Sequence, residues 1–111
     1  MNRADLAIRV AMLAAVLLVA PPLLAQQPKA LAHGDAAAGK ALADKDCVAC
    51  HVRRFGDATT IYTRADRKVR TAEQLLAQVQ FCNIDLKAGY FPEEEEHVAA
   101  YLNLTYYKFA P

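Results

Sequence analysis

Five residues, Cys47-Val48-Ala49-Cys50-His51, constrain this chain more than any others. They read C-x-x-C-H, the attachment sequence of a c-type haem. The spacing has a chemical reason. Two thiols must meet two vinyl groups on one edge of a porphyrin, so only a short tether serves. His51 follows directly and is then held over one ring face, where an imidazole can bind iron as the proximal ligand. Two other readings compete: a redox dithiol, and a Cys/Cys/His zinc site. The zinc reading lacks a second ligand pair, because only Cys82, His33 and His97 remain and none is suitably spaced. The dithiol reading leaves His51 unexplained and has no βαβ pattern around it. The motif therefore implies one covalent haem c, held by Cys47, Cys50 and His51.

The first 25 residues read as a signal peptide. Arg3 and Arg9 give a positive start, and Val10 to Ala20 is an apolar run too short to span a bilayer comfortably. Pro21 and Pro22 break it. Cleavage is expected after Ala25, or as late as Ala32, where Ala30-Leu31-Ala32 gives a clean A-x-A. An uncleaved membrane anchor is the alternative, and the only route to a membrane. Either way the rest of the chain is exported to the periplasm, the side on which bacteria attach this haem. Residues 26–33 read as a polar linker and 34–111 as the haem domain.

Charge excludes one class of partner. The 13 basic and 12 acidic residues lose Arg3, Arg9 and Asp5 with the leader, leaving 11 of each. Nothing in this balance suggests nucleic acid. The charges are segregated, however: six basic residues fall between Arg53 and Arg70 against Asp57 and Asp66, and Glu93 to Glu96 is a block of four acids. A chain this short has a marginal core, and a covalent haem supplies an apolar centre to fold around.

Helix signals frame the motif. Asp35 stands as N-cap of a helix running to about Asp46. Gly39 inside it costs helix stability, which points to close approach by another helix. Thr71 and Gln74 form a T-x-x-Q capping box, and Leu75, Val79 and Cys82 then share one helical face with Leu76 beside them. Asp85 to Tyr90 reads as a loop. Pro92 opens the last helix, with Glu93 to Glu96 where the macrodipole favours negative charge. Val98, Tyr101 and Leu102 form its apolar stripe, with His97 on the border. The tail carries Tyr106, Tyr107 and Phe109, which need a surface of the domain or of a partner subunit.

With these elements in place the chain resembles class I c-type cytochromes from about Gly34 to Leu104. Their first helix carries a glycine eight residues before the first motif cysteine, as Gly39 precedes Cys47, and their last helix an aromatic–Leu pair, matched by Tyr101-Leu102. Two features depart: Ala43 stands where that family commonly has an aromatic, and the proline that usually follows the haem motif is absent. The resemblance implies an all-α fold of about three main helices around one covalent haem. Val52 to Arg70 has no clear period and reads as an irregular segment around the haem edge. Tyr62, Arg64 and Arg67 in it are candidates to pair with the haem propionates, against the reading of a solvated basic surface or a docking patch.

The iron's far side is where the chain departs most. Typical class I cytochromes place Met there, but Met1 and Met12 both lie in the leader. Cys82, His33, His97, a Lys amine, Asn83 or an open site remain. Cys82 lies on a buried stripe with no evident thiol partner, and thiolate is a strong iron ligand; the competing readings are a small buried hydrophobe and an intermolecular disulfide. The run CVACH, Cys82-Asn83, FPEEEE, AAYLN, YYKF also resembles small heterodimeric cytochromes with His/Cys haem. That resemblance implies His51 and Cys82 as the two iron ligands. The expectation is an exported electron-transfer or gas-binding haem protein, not an enzyme, with a redox partner protein and a homo- or heterodimer open. The alternative is an ordinary electron carrier whose sixth site holds His or is vacant.

Overall fold

Asp35 begins the ordered architecture as expected. Its carboxylate accepts from the N–H groups of Ala37 and Ala38 at 2.9 and 3.1 Å, capping α1, Ala36–Asp46. The computed structural model describes residues 26–111, and the expected signal peptide lies outside the described residues. Cys47 ends α1 and begins α2, Val48–Phe55, so the chain turns at the first motif cysteine and the rest of the motif is helical. Gly56 closes α2 in the left-handed region at φ 85°. Asp57 then accepts from the N–H groups of Thr59 and Thr60 and from the Thr60 hydroxyl, contacts that hold its carboxyl down to about 2. They set up the single turn α3, Thr60–Thr63.

Thr71 caps α4, Ala72–Leu86, its hydroxyl accepting from the Gln74 N–H at 3.2 Å. Gln74 reaches back to the N–H of Arg70 at 2.8 Å, one residue earlier than a reciprocal capping box requires. Pro92 stands at the first position of α5, Pro92–Leu102, and Glu94 accepts from the Phe91 N–H at 2.9 Å. A π-helical turn, Asn103–Tyr107, carries the chain on from α5. Among the described residues there are five α-helices and no strands, so the all-α expectation holds, with α1, α4 and α5 the long elements. None of them is long and apolar enough to cross a membrane.

Three expectations change. Val52–Phe55, read as irregular, continues the motif helix, because Gly56 and not the motif supplies the stop. Asp85 and Leu86, read as loop, extend α4 to its left-handed cap at Lys87. Residues 26–33, read as a linker, are packed: Leu31 sits in a 3₁₀ turn, Lys29–Leu31, fully buried in the core. Gln27 donates to the Ala100 carbonyl at 3.1 Å and accepts from Asn103 at 2.9 Å.

The core is built where α1 and α4 each meet α5. A Cβ added at Gly39 would lie 1.8 Å from the His97 carbonyl oxygen, so α1 and α5 touch backbone to backbone. Leu75 and Val79 of α4 join Val98, Ala99 and Leu102 of α5 in one buried cluster. Gly39→Ala should therefore cost about 3 kcal/mol or more, since neither backbone can yield. Urea unfolding of the purified protein reads this, and a loss below about 1 kcal/mol would mean that the helices do not meet here.

Candidate functional site

The turn at Cys47 aims the motif inward. Cys47, Cys50 and His51 line a cavity of about 450 Å³ bounded by α2, α3, α4 and the C-terminal end of α5. Its floor is apolar, made of Ile61, Val69, Leu75, Val79, Val98 and Leu102. Cys82 of α4 lines the same space, as do Tyr62, Arg64 and Arg67. All seven site residues read from the sequence thus face one cavity. Its volume falls within the range of small-molecule and cofactor sites, roughly 300–1,000 Å³. Phe55, Phe81 and Leu86, large and apolar, stand 47%, 62% and 42% exposed on its lining.

Burial pushes the Cys47 thiol up to about 11, with Cys82, Asp46 and Cys50 adding to the shift. All three cysteines are free thiols. Burial also lowers the His51 pKa, with Arg54 adding to it and the Ala58 carbonyl opposing, so the imidazole is neutral at pH 7 and able to act as a ligand. His51 Nδ1 lies 2.8 Å from Tyr62 Oη and 3.4 Å from the Ala58 carbonyl. Both partners sit at this one nitrogen, which leaves Nε2 for a ligand bond.

The basic residues divide. Arg64 makes a two-pronged pair with Asp66 at 2.6 Å on the exposed side. Arg67 donates to the Tyr62 carbonyl at 3.1 Å and lies over the Tyr107 ring at 5.0 Å. Each is partly engaged, and each still borders the cavity.

Among the other sixth-ligand candidates, Lys68 and Asn83 border the cavity. His97 Nδ1 accepts from the Asp35 N–H at 2.9 Å, at the start of α1, and the backbone N–H of His33 donates to Glu96 at 2.8 Å, which leaves the His33 imidazole unengaged among the described residues. Neither histidine lines the cavity. Asn83 donates to the Tyr90 carbonyl at 3.0 Å and to Glu95 at 2.6 Å, and accepts from the Tyr90 N–H at 3.0 Å. Cys82 Sγ instead faces Gln78, whose amide donates to it at 3.4 Å. Gln78 was not singled out by sequence, although it stands one helical turn before Cys82, where i,i+4 side chains meet.

Among the described residues no three His, Cys, Asp or Glu side chains come together closely enough to hold a metal ion by themselves. A bare-ion zinc site is not formed. A porphyrin supplies four nitrogens of its own and asks the protein for only one or two axial ligands. Comparison with protein-family models, curated proteins and solved structures found no match in any of the three.

The Asn83 clamp is testable apart from any cofactor. Asn83→Ala should lower stability by about 2 kcal/mol, because it strips buried Glu95 and both polar groups of the Tyr90 backbone of a partner. Asn83→Asp should cost more, since it sets a second carboxylate against Glu95. Denaturant midpoints measure both, and equal losses would contradict the Glu95 contact.

Proposed function

We propose that this chain is an exported monohaem c-type cytochrome of the class I type, in which haem c is joined to Cys47 and Cys50 and its iron is bound by His51 and Cys82. One observation carries the reading: the three motif residues and the third cysteine line the same apolar-floored cavity. The donor set suits the group. Two thiols stand at tether spacing, a neutral imidazole has Nε2 free, and a sulfur that already accepts a hydrogen bond lies in the same space. Haem bound there supplies a one-electron ferric/ferrous couple and an iron site for diatomic ligands.

The chain's own residues then divide the work. Cys47 and Cys50 would hold the haem covalently. His51 would supply an imidazole ligand. Cys82 would supply a thiolate that favours ferric iron and so a low potential, which suits a relay to a redox partner or an iron site open to NO or CO. Gln78 donates to that sulfur and would moderate its charge. Arg67, and Arg64 once released from Asp66, are placed to meet propionates. The reading is a carrier or ligand-binding protein, not an enzyme. Packing of Leu31 bears on export: a cut after Ala32 would remove a core side chain, whereas a cut after Ala25 keeps it.

Expressed in a bacterium with the haem-attachment machinery, the chain should be recovered red from the periplasm. Its mass should exceed that of the polypeptide by one haem, and its N-terminus should be Gln26. A colourless product, or haem that comes off in acidic organic solvent, would refute the reading. Cys82→Ala should convert a low-spin thiolate-type ferric spectrum to a high-spin one and raise the potential. An unchanged spectrum would return the ordinary carrier with another sixth ligand.

A further inference from the structure

Tyr62 lies where the motif and the C-terminal tail meet. Only 8% of it is exposed, its hydroxyl is 2.8 Å from His51 Nδ1, and the two ring centroids are 5.2 Å apart. Behind it, Tyr106 stacks on its ring at 5.0 Å with an interplanar angle of 28°, and Tyr107 leans on it at 6.0 Å. The tail that brings these rings is itself tied down. Asn103 donates to Gln27 at 2.9 Å and accepts from the Phe109 N–H at 2.8 Å. Arg67 closes the arrangement from the other side, donating to the Tyr62 carbonyl while covering the Tyr107 ring.

We propose that Tyr62 is a positioning residue for His51, held by the aromatic tail turn, and that it tunes the iron site through His51 Nδ1 in place of the propionate role that the sequence suggested. This rests on the haem reading above. A ligand bond at Nε2 requires the imidazole proton at Nδ1. Nδ1–H then donates to Tyr62 Oη, with the Ala58 carbonyl as the longer, second acceptor. Such an acceptor fixes the tautomer, stops ring rotation and raises the basicity of Nε2, which favours ferric iron. The tail matters because a Tyr hydroxyl can serve only if its ring is immobile, and the stack with Tyr106 immobilises it. Sequence alone offers no sign of this, since 44 positions separate Tyr62 from Tyr106.

The test uses the full, haem-loaded protein. Tyr62→Phe keeps the ring and its packing and removes only the acceptor. Its potential should rise, moving the ferric/ferrous equilibrium toward ferrous roughly threefold, a neutral hydrogen bond's modest share, or about 28 mV at 59 mV per tenfold for one electron. The His51 Nδ1 proton, followed by NMR in the reduced protein, should exchange faster than in the unaltered chain. Tyr106→Leu leaves the hydroxyl and loosens its ring, so the same changes should appear at smaller size. A folded, red Tyr62→Phe protein with unchanged potential and unchanged exchange would overturn the proposal and leave the haem reading intact. A chain that never acquires covalent haem would overturn the haem reading itself. Should Tyr62→Phe not fold, Tyr106→Leu decides: a raised potential with faster Nδ1 exchange upholds the proposal, and no change in either overturns it.

Discussion

The contact between Gly39 and the His97 carbonyl governs the geometry of everything downstream. It allows α1 to lie against α5 with no side chain between them. Because α1 runs directly into Cys47, fixing α1 fixes where the motif turns, and α2 then leaves in one direction only. Gly34, just ahead of α1, repeats the device, and an added Cβ there would meet Ala100 and the Glu96 carbonyl. The crossing is further pinned by polar contacts from α5 to the segment before α1: His97 to the Asp35 N–H, and Glu96 to the His33 N–H. The helix-start charges that favour the macrodipole are therefore also specific acceptors for other parts of the chain.

That division of labour explains the acidic block better than field effects alone. Glu94 satisfies its own helix start, Glu95 is buried beneath Asn83, and Glu96 ties the N-terminal segment to α5. Asn83 in turn holds the Tyr90 backbone by both its polar groups, and the Tyr90 hydroxyl donates to the Leu42 carbonyl and to Asp46 at the end of α1. A continuous polar chain thus runs from α5 through α4 to the residue before Cys47. It sets the distance between α4, which carries Cys82, and the motif, and so the width of the cavity between them.

Local signals along the chain were legible, and long-range ones were not. Caps at Asp35 and Thr71, proline at the start of α5 and the glycine at 39 are short-range features with short-range causes, and each appears where the sequence placed it. The convergence of Cys82 on the motif could be read from one helical stripe, because periodicity reports which face is buried. It does not report what that face meets. The packing of residues 26–33 escaped notice because Gln27 and Leu31 owe their places to Ala100, Asn103 and the core, seventy positions away in sequence. The tail was ambiguous for the same reason. Its aromatics needed a surface, and the small residue Ala43 helps to provide one: Ala43, Tyr62, Tyr101 and Tyr106 border one small cavity of about 50 Å³, where Tyr106 meets Tyr101 edge-on at 6.2 Å.

The surroundings of the Cys47 thiol bear on the dithiol reading of the motif. A dithiol oxidoreductase works through a thiolate, and such sites lower a cysteine's pKa with helix N-termini or neighbouring cations. Cys47 occupies a helix N-terminus, yet desolvation and its neighbours Cys82 and Asp46 raise its pKa to about 11. Burial therefore disfavours its thiolate at pH 7, and Cys50 lines the same cavity. A zinc site would need a third and fourth ligand beside these sulfurs, and no such group is assembled among the described residues. In the proposed reading a thioether would carry no charge and tolerate an apolar wall, and Cys47, Cys50 and His51 line one apolar-floored cavity.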